Sequence, residues 1–188
     1  MNLLVSIHNK VFDMVEMGGN WLLPLFARFT FAATLLIYYW NSGLTKLGDG
    51  LFGLFSPSIG AYSQIFPKQL EAAGYDASQL GFFHWLVVMA GTYAEFLLPL
   101  LIVIGLATRL AALGMIGFVI VQSLTDIYGH GATDEKTLGA WFDRFPDAVI
   151  MDQRLFWVLT LTIVVIKGAG FLSVDALLRR RSETLAVA

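Results

Sequence analysis

The chain contains no cysteine. That absence excludes disulfides, thiolate-ligated metal sites, iron–sulfur clusters, CxxC redox chemistry and c-type haem attachment. Charge is scarce as well: only 14% of the 188 residues are Asp, Glu, Lys or Arg, where soluble domains carry about 25%. The formal net charge is −2 and no basic stretch is interleaved with aromatics, so nucleic acid is excluded as a partner. The three histidines show no HxxxH or HxH spacing, so no metal motif is read. GxSxG, Walker A and dinucleotide glycine patterns are missing, and no span carries paired carboxylates. No internal repeat or low-complexity stretch occurs.

What is there is apolar. Hydrophobic residues make up 57% of the chain and the mean hydropathy is +0.70, more than one water-soluble core can bury. The fold class is therefore all-α: a single integral-membrane domain, residues 1–188, built as a four-helix bundle in the lipid bilayer. The four spans, each needing about 20 residues, are read at about 21–40, 82–106, 110–128 and 155–178. Asn20 is read as N-cap of the first, with Pro24 in its first turn. Only Ala107-Thr108-Arg109 separates the second and third, which must form an antiparallel hairpin. Ahead of them, Leu3, Leu4, Ile7, Val11, Met14 and Val15 share one helical face. Residues 1–19 thus read as an N-terminal interfacial amphipathic helix, ended by Gly18-Gly19. Two acids and no basic cluster exclude a signal peptide.

Lys10, Arg109 and Arg179-Arg180-Arg181 mark one membrane side, so the positive-inside rule puts both termini in the cytoplasm. The opposite side carries two long segments, 41–81 and 129–154, in which acids outnumber bases. Residues 44–66 and 138–145 are rich in aromatic and apolar residues. They read as short outer capping helices over the mouth of the bundle.

Three ionisable residues, Arg28, Glu95 and Lys167, fall well inside the spans, away from their ends. Each costs a few kcal/mol at mid-bilayer unless paired, so each should face the interior. Helical rise puts Glu95 and Lys167 at similar depths, roughly 16 Å in, and Arg28 about 10 Å in. That arithmetic makes Glu95 the hub of one charge cluster, touching Lys167 across the bundle and Arg28 from below. With two cations to one anion, either Lys167 is neutral or an anionic or carbonyl-bearing group completes the cluster. A second polar layer, His84, Asp126 and His130, lies near the outer surface among Tyr38, Tyr39, Trp40 and Tyr128. It could bind a metal or exchange protons with a quinone head group. Alternatively, the charges merely fix helix register, and the histidines are amphipathic residues at an interface.

The run Glu95-Phe-Leu-Leu-Pro-Leu-Leu-Ile-Val-Ile-Gly105-Leu-Ala-Thr-Arg109-Leu-Ala-Ala resembles the DoxX family. So do Arg28 in the first span, the Gly43-Leu-Thr-Lys46-Leu47 motif, and Lys167-Gly-Ala-Gly-Phe-Leu-Ser-Val-Asp175. The resemblance spans most of residues 20–178. It implies a multi-pass bacterial inner-membrane protein and singles out Arg28, Lys46, Glu95 and Arg109. It also implies membrane or periplasmic protein partners and an association with thiosulfate:quinone, oxidative-stress or metal-response systems. Three functions stay open: a redox accessory holding a quinone, a non-enzymatic assembly protein, and a small-solute or metal transporter. A homo-oligomer is compatible with each.

Overall fold

The computed structural model describes residues 2–187, apart from the side chains of Asn2, Leu51 and residues 185–187. Met1 and Ala188, the ends of the expected domain, lie outside it. Every regular element among the described residues is helical. The first helix is α1 (Asn2–Phe31), which passes through a wider π-type turn at Ala32–Leu36 into α2 (Ile37–Lys46). The loop segment folds as two short helices, α3 (Ile59–Ile65) and α4 (Pro67–Ala72). Then come α5 (Phe82–Ile104), α6 (Thr108–Leu124), α7 (Arg154–Lys167) and α8 (Val174–Val187). Four stretches are long and apolar enough to cross a membrane: 3–46, 82–104, 108–129 and 149–167.

The four spans form a closed ring: the first helix packs on α7, α7 on α6, α6 on α5, and α5 on α2. Phe31, Leu35 and Tyr39 of the first helix meet Ile102, Met115, Val119, Leu161 and Val164 at the centre, each almost fully buried. The outward residues Phe26, Phe29, Leu110, Phe156 and Ile166 are exposed apolar side chains, as a lipid-facing surface requires. The face that carries the tight α5–α6 turn is called the turn face here, and the opposite one the loop face.

The observed elements differ from the sequence reading at four places. Gly18-Gly19 does not end a separate interfacial helix, because the α-helix runs unbroken from Asn2. A glycine costs about 1 kcal/mol in a helix but keeps its backbone hydrogen bonds, and no proline intervenes there. Asn20 is consequently a mid-helix residue and no N-cap. The fourth span stops at Lys167 instead of 178, since Gly168 and Gly170 adopt φ of +78° and +74°, values that glycine alone adopts readily. Residues 138–145 form turns, not a capping helix. Trp141 there donates Nε1–H to Met151 O at 2.9 Å, and Phe142 is fully exposed.

Candidate functional site

Lys46 and Glu95 form the centre of the site. Lys46 Nζ donates to both Glu95 carboxylate oxygens at 3.0 Å and to Ser42 Oγ at 2.7 Å. Ser42 Oγ in turn donates to Glu95 Oε1 at 3.0 Å. Both charged residues are at least 95% buried. A single turn of α2 supplies Ser42 and Lys46 because residues four apart share a helical face. The π-turn inserts one residue and so advances everything beyond it by about 100°, which contributes to that facing. Gly43 admits the close approach, since a Cβ there would lie 2.7 Å from the Phe96 ring. The Gly-x-x-Lys motif is thereby explained: glycine brings α2 against α5, and lysine meets the glutamate. Pro99, four residues after Glu95, has no N–H to bond the Glu95 backbone carbonyl, and it sits buried inside α5.

The pair lies at one side of a cavity of about 440 Å³ between α2, α3, α5 and α6. Ala90, Gly91 and Ala94 of α5 face Gly114, Gly117 and Phe118 of α6 across it. Ala90, Gly114 and Gly117 are exposed, so the cavity opens sideways between the two helices, towards lipid. Gln64 and His130 line it near the loop face, with Asp126 and Gln122. The Gln122 amide donates to Tyr38 Oη at 3.1 Å and accepts from Tyr39 Oη at 3.4 Å. The arrangement can hold a small amphiphile, with aliphatic walls for its apolar body and fixed donors and acceptors for its polar end.

The expected cluster of Arg28, Glu95 and Lys167 is not formed. Arg28 instead donates to four backbone carbonyls: Ile102 O at 2.9 Å, Val103 O at 2.5 Å, Ala169 O at 2.6 Å and Leu172 O at 2.7 Å. The last carbonyls of a helix have no intrahelical partner, so Arg28 ties the end of α5 to the α7–α8 connection. Lys167 is exposed and donates to Asn20 Oδ1 at 2.9 Å. The carbonyl-bearing groups that complete these cations therefore belong to the chain itself. Depth arithmetic misassigned the pairing because Lys46 lies on a helical extension of the first span. The sequence reading ends the span at residue 40 and assigns Lys46 to the outer segment 41–81.

Asp175 closes the turn face. Its carboxylate accepts from the N–H of Ala107 at 2.8 Å and of Thr108 at 3.0 Å, and from the Thr108 hydroxyl at 2.7 Å. Partial burial pushes its carboxyl up, but these three bonds and the nearby Arg179 outweigh that and hold it below the usual carboxylate range. The Gly-Leu-x-Thr-Arg motif follows: Gly105 takes the left-handed cap at φ +75°, and Thr108 opens α6 against Asp175. Arg109 is exposed at this face.

The outer trio is only partly assembled. Asp126 and His130 line the same cavity, joined by a π-type turn at Thr125–Gly129. His130 Nε2 lies 3.0 Å from Gln64 O, whereas Asp126 pairs with Arg154 Nη2 at 2.5 Å. His84 does not line that cavity; its ring packs edge-on to Phe66 and its buried Nδ1 has no partner among the described residues. It opens α5 beneath the α3–α4 junction. Among the described residues no three metal-ligating side chains come together. Arg154, one of the few bases of the acid-rich segment 129–154, is 96% buried and also donates to Ser123 Oγ at 2.9 Å. Its signal was its position: it opens one span while Asp126 closes the preceding antiparallel one. Ser42, Gln64 and Gln122 were missed because neutral polar residues at span ends carry no distinguishing pattern.

A family model described as DoxX matches residues 23–125, more than half of the chain. The match contains Arg28, Lys46, Glu95 and Arg109. It ends before Asp126, His130, Arg154 and Lys167. No curated protein and no solved structure matches.

Proposed function

The chain belongs to the DoxX family, and on that premise we propose that it is a bacterial inner-membrane subunit or accessory of a quinone-linked redox system. Its lateral cavity takes the quinone head group. The observation that carries the reading is a buried, hydrogen-bonded Lys46–Glu95 pair beside an apolar cavity of about 440 Å³ that opens towards lipid. Such a volume is in the range of small-molecule sites, roughly 300–1,000 Å³. The residues fit the group: Glu95 has lone pairs left to accept from a hydroxyl, Lys46 can turn one N–H from Ser42 to a carbonyl oxygen, and the alanine and glycine walls admit a planar ring. The quinone, when bound, supplies a two-electron acceptor, with a partner protein as the electron donor. Reduction to the quinol takes up two protons, which would enter from the loop face past Gln64, His130 and Asp126, with the Glu95 carboxylate accepting each in turn and passing it on to the head group. The bias of Lys10, Arg109 and Arg179–Arg181 supports cytoplasmic termini.

Binding of a short-chain ubiquinone analogue, followed by tryptophan fluorescence of the purified protein, tests this. Gly117→Leu fills the cavity from a position where a Cβ meets nothing within 4 Å. Affinity should fall at least tenfold while thermal stability holds. Unchanged affinity in that variant refutes the cavity as the quinone site.

An assembly role is the second reading, favoured by Arg28, whose bonds all go to backbone carbonyls. A protein that binds no quinone yet is needed to keep its partner at the membrane would establish it.

A further inference from the structure

The turn face carries a second basin, of about 850 Å³, between the α5–α6 turn, the α7–α8 connection and α8. Four cations, Arg109, Lys167, Arg179 and Arg180, line it against two carboxylates, Asp175 and Glu183. Asp175 is already occupied, since both its oxygens cap the start of α6. Lys167 is hydrogen-bonded only to the neutral Asn20 amide. None of the four cations forms an ion pair among the described residues. The basin therefore carries positive charge in excess, four cations to two carboxylates, although Arg179 lies near enough to Asp175 to act on it.

Its backbone is shaped for this. Gly168, at φ +78°, lets the Arg109 side chain lie against the turn, since a Cβ there would be 3.1 Å from Arg109 Nε. Phe171 lines the basin and Leu172 follows it in the chain, both exposed, while Leu177 and Leu178 are exposed on the other face of α8. Apolar side chains beside unpaired cations at the end of a membrane span match a ligand with an anionic head and acyl chains. A soluble anion has no use for the apolar rim.

We propose that this basin binds the phosphodiester headgroup of an anionic phospholipid and thereby holds α8 against the membrane surface. Arg109 and Lys167, at the ends of the transmembrane helices, contact the headgroup from the bundle. Arg179 and Arg180 close on it from α8, and the acyl chains run alongside Phe171 and Leu172. Basic clusters next to transmembrane helices recognise anionic headgroups in this way. This inference does not depend on what the lateral cavity holds.

The test uses full-length protein stripped of lipid in a neutral detergent, with retained lipid counted by native mass spectrometry. Phosphatidylglycerol should be retained in preference to phosphatidylcholine, and retention should weaken with salt. Millimolar inorganic phosphate should not displace it. Each arginine removed should weaken retention about fivefold, from about 1 kcal/mol per basic residue. Arg109→Gln with Arg180→Gln should therefore lose roughly 25-fold. Should that variant fail to fold, Arg179→Gln with Arg180→Gln, both on exposed positions of α8, carries the same expectation. Equal retention of both lipids, displacement by inorganic phosphate alone, or unchanged retention in the folded variant overturns the proposal.

Discussion

Removing one partner of the Lys46–Glu95 pair probes the centre of the site most directly. At 3.0 Å and an effective dielectric of about 20, two unit charges attract by roughly 5–6 kcal/mol. Withdrawing both ions from water costs several kcal/mol each, so the pair contributes little net stability. Its separation is another matter. Lys46→Met leaves the Glu95 carboxylate with a single neutral donor, Ser42, and Glu95→Gln leaves the ammonium without a counter-charge. Each single variant should lose about 3 kcal/mol, while the double variant should lose only about 1 kcal/mol. The double-mutant cycle then gives a coupling near 5 kcal/mol. Reversible unfolding in mixed micelles, titrated with a denaturing detergent and followed by circular dichroism, measures all four proteins. A double variant that loses the sum of the single losses, within about 0.5 kcal/mol, refutes the pairing.

Other consequences follow from the turn face. Arg28→Lys keeps the charge but cannot reach four carbonyls on two segments at once, so it should cost about 3 kcal/mol in the same assay. Gly105→Ala adds a Cβ at a left-handed φ against Ser173 and Arg28; a loss of about 2 kcal/mol is expected, and a neutral result would contradict the packing. Asp175→Asn should cost about 1 kcal/mol at neutral pH through the weakened cap of α6. The folded-state pKa of Asp175 is lowered, so its contribution is complete above the ordinary carboxylate value and is lost as pH falls through the folded one. The stability difference between wild type and Asp175→Asn should thus shrink under strong acid, as melting curves across that range would show. A difference that grew on acidification would reverse the assigned sign.

Much of the architecture was legible in the residues. A span is set by local composition and length, because every backbone polar group in lipid must be satisfied within its own helix. The four spans, the hairpin at Ala107–Arg109 and the membrane class therefore followed from the sequence. Glu95 stood out as a charge within a span and Lys46 through motif resemblance, though without their connection.

The tertiary structure alone decided which charge meets which. Three buried or span-end cations compete for Glu95, and the choice turns on helix rotation and a few ångströms of depth. A π-turn at Ala32–Leu36, the continuation of the first helix to Lys46, and the close approach at Gly43 settle that choice. Arg28 found carbonyls at a helix end that no periodicity marks. Arg154 and Asp126 became partners only because α6 and α7 pack side by side with their loop ends level. Local chemistry determines which groups cannot be left unpaired, and only packing determines the partner that each one reaches.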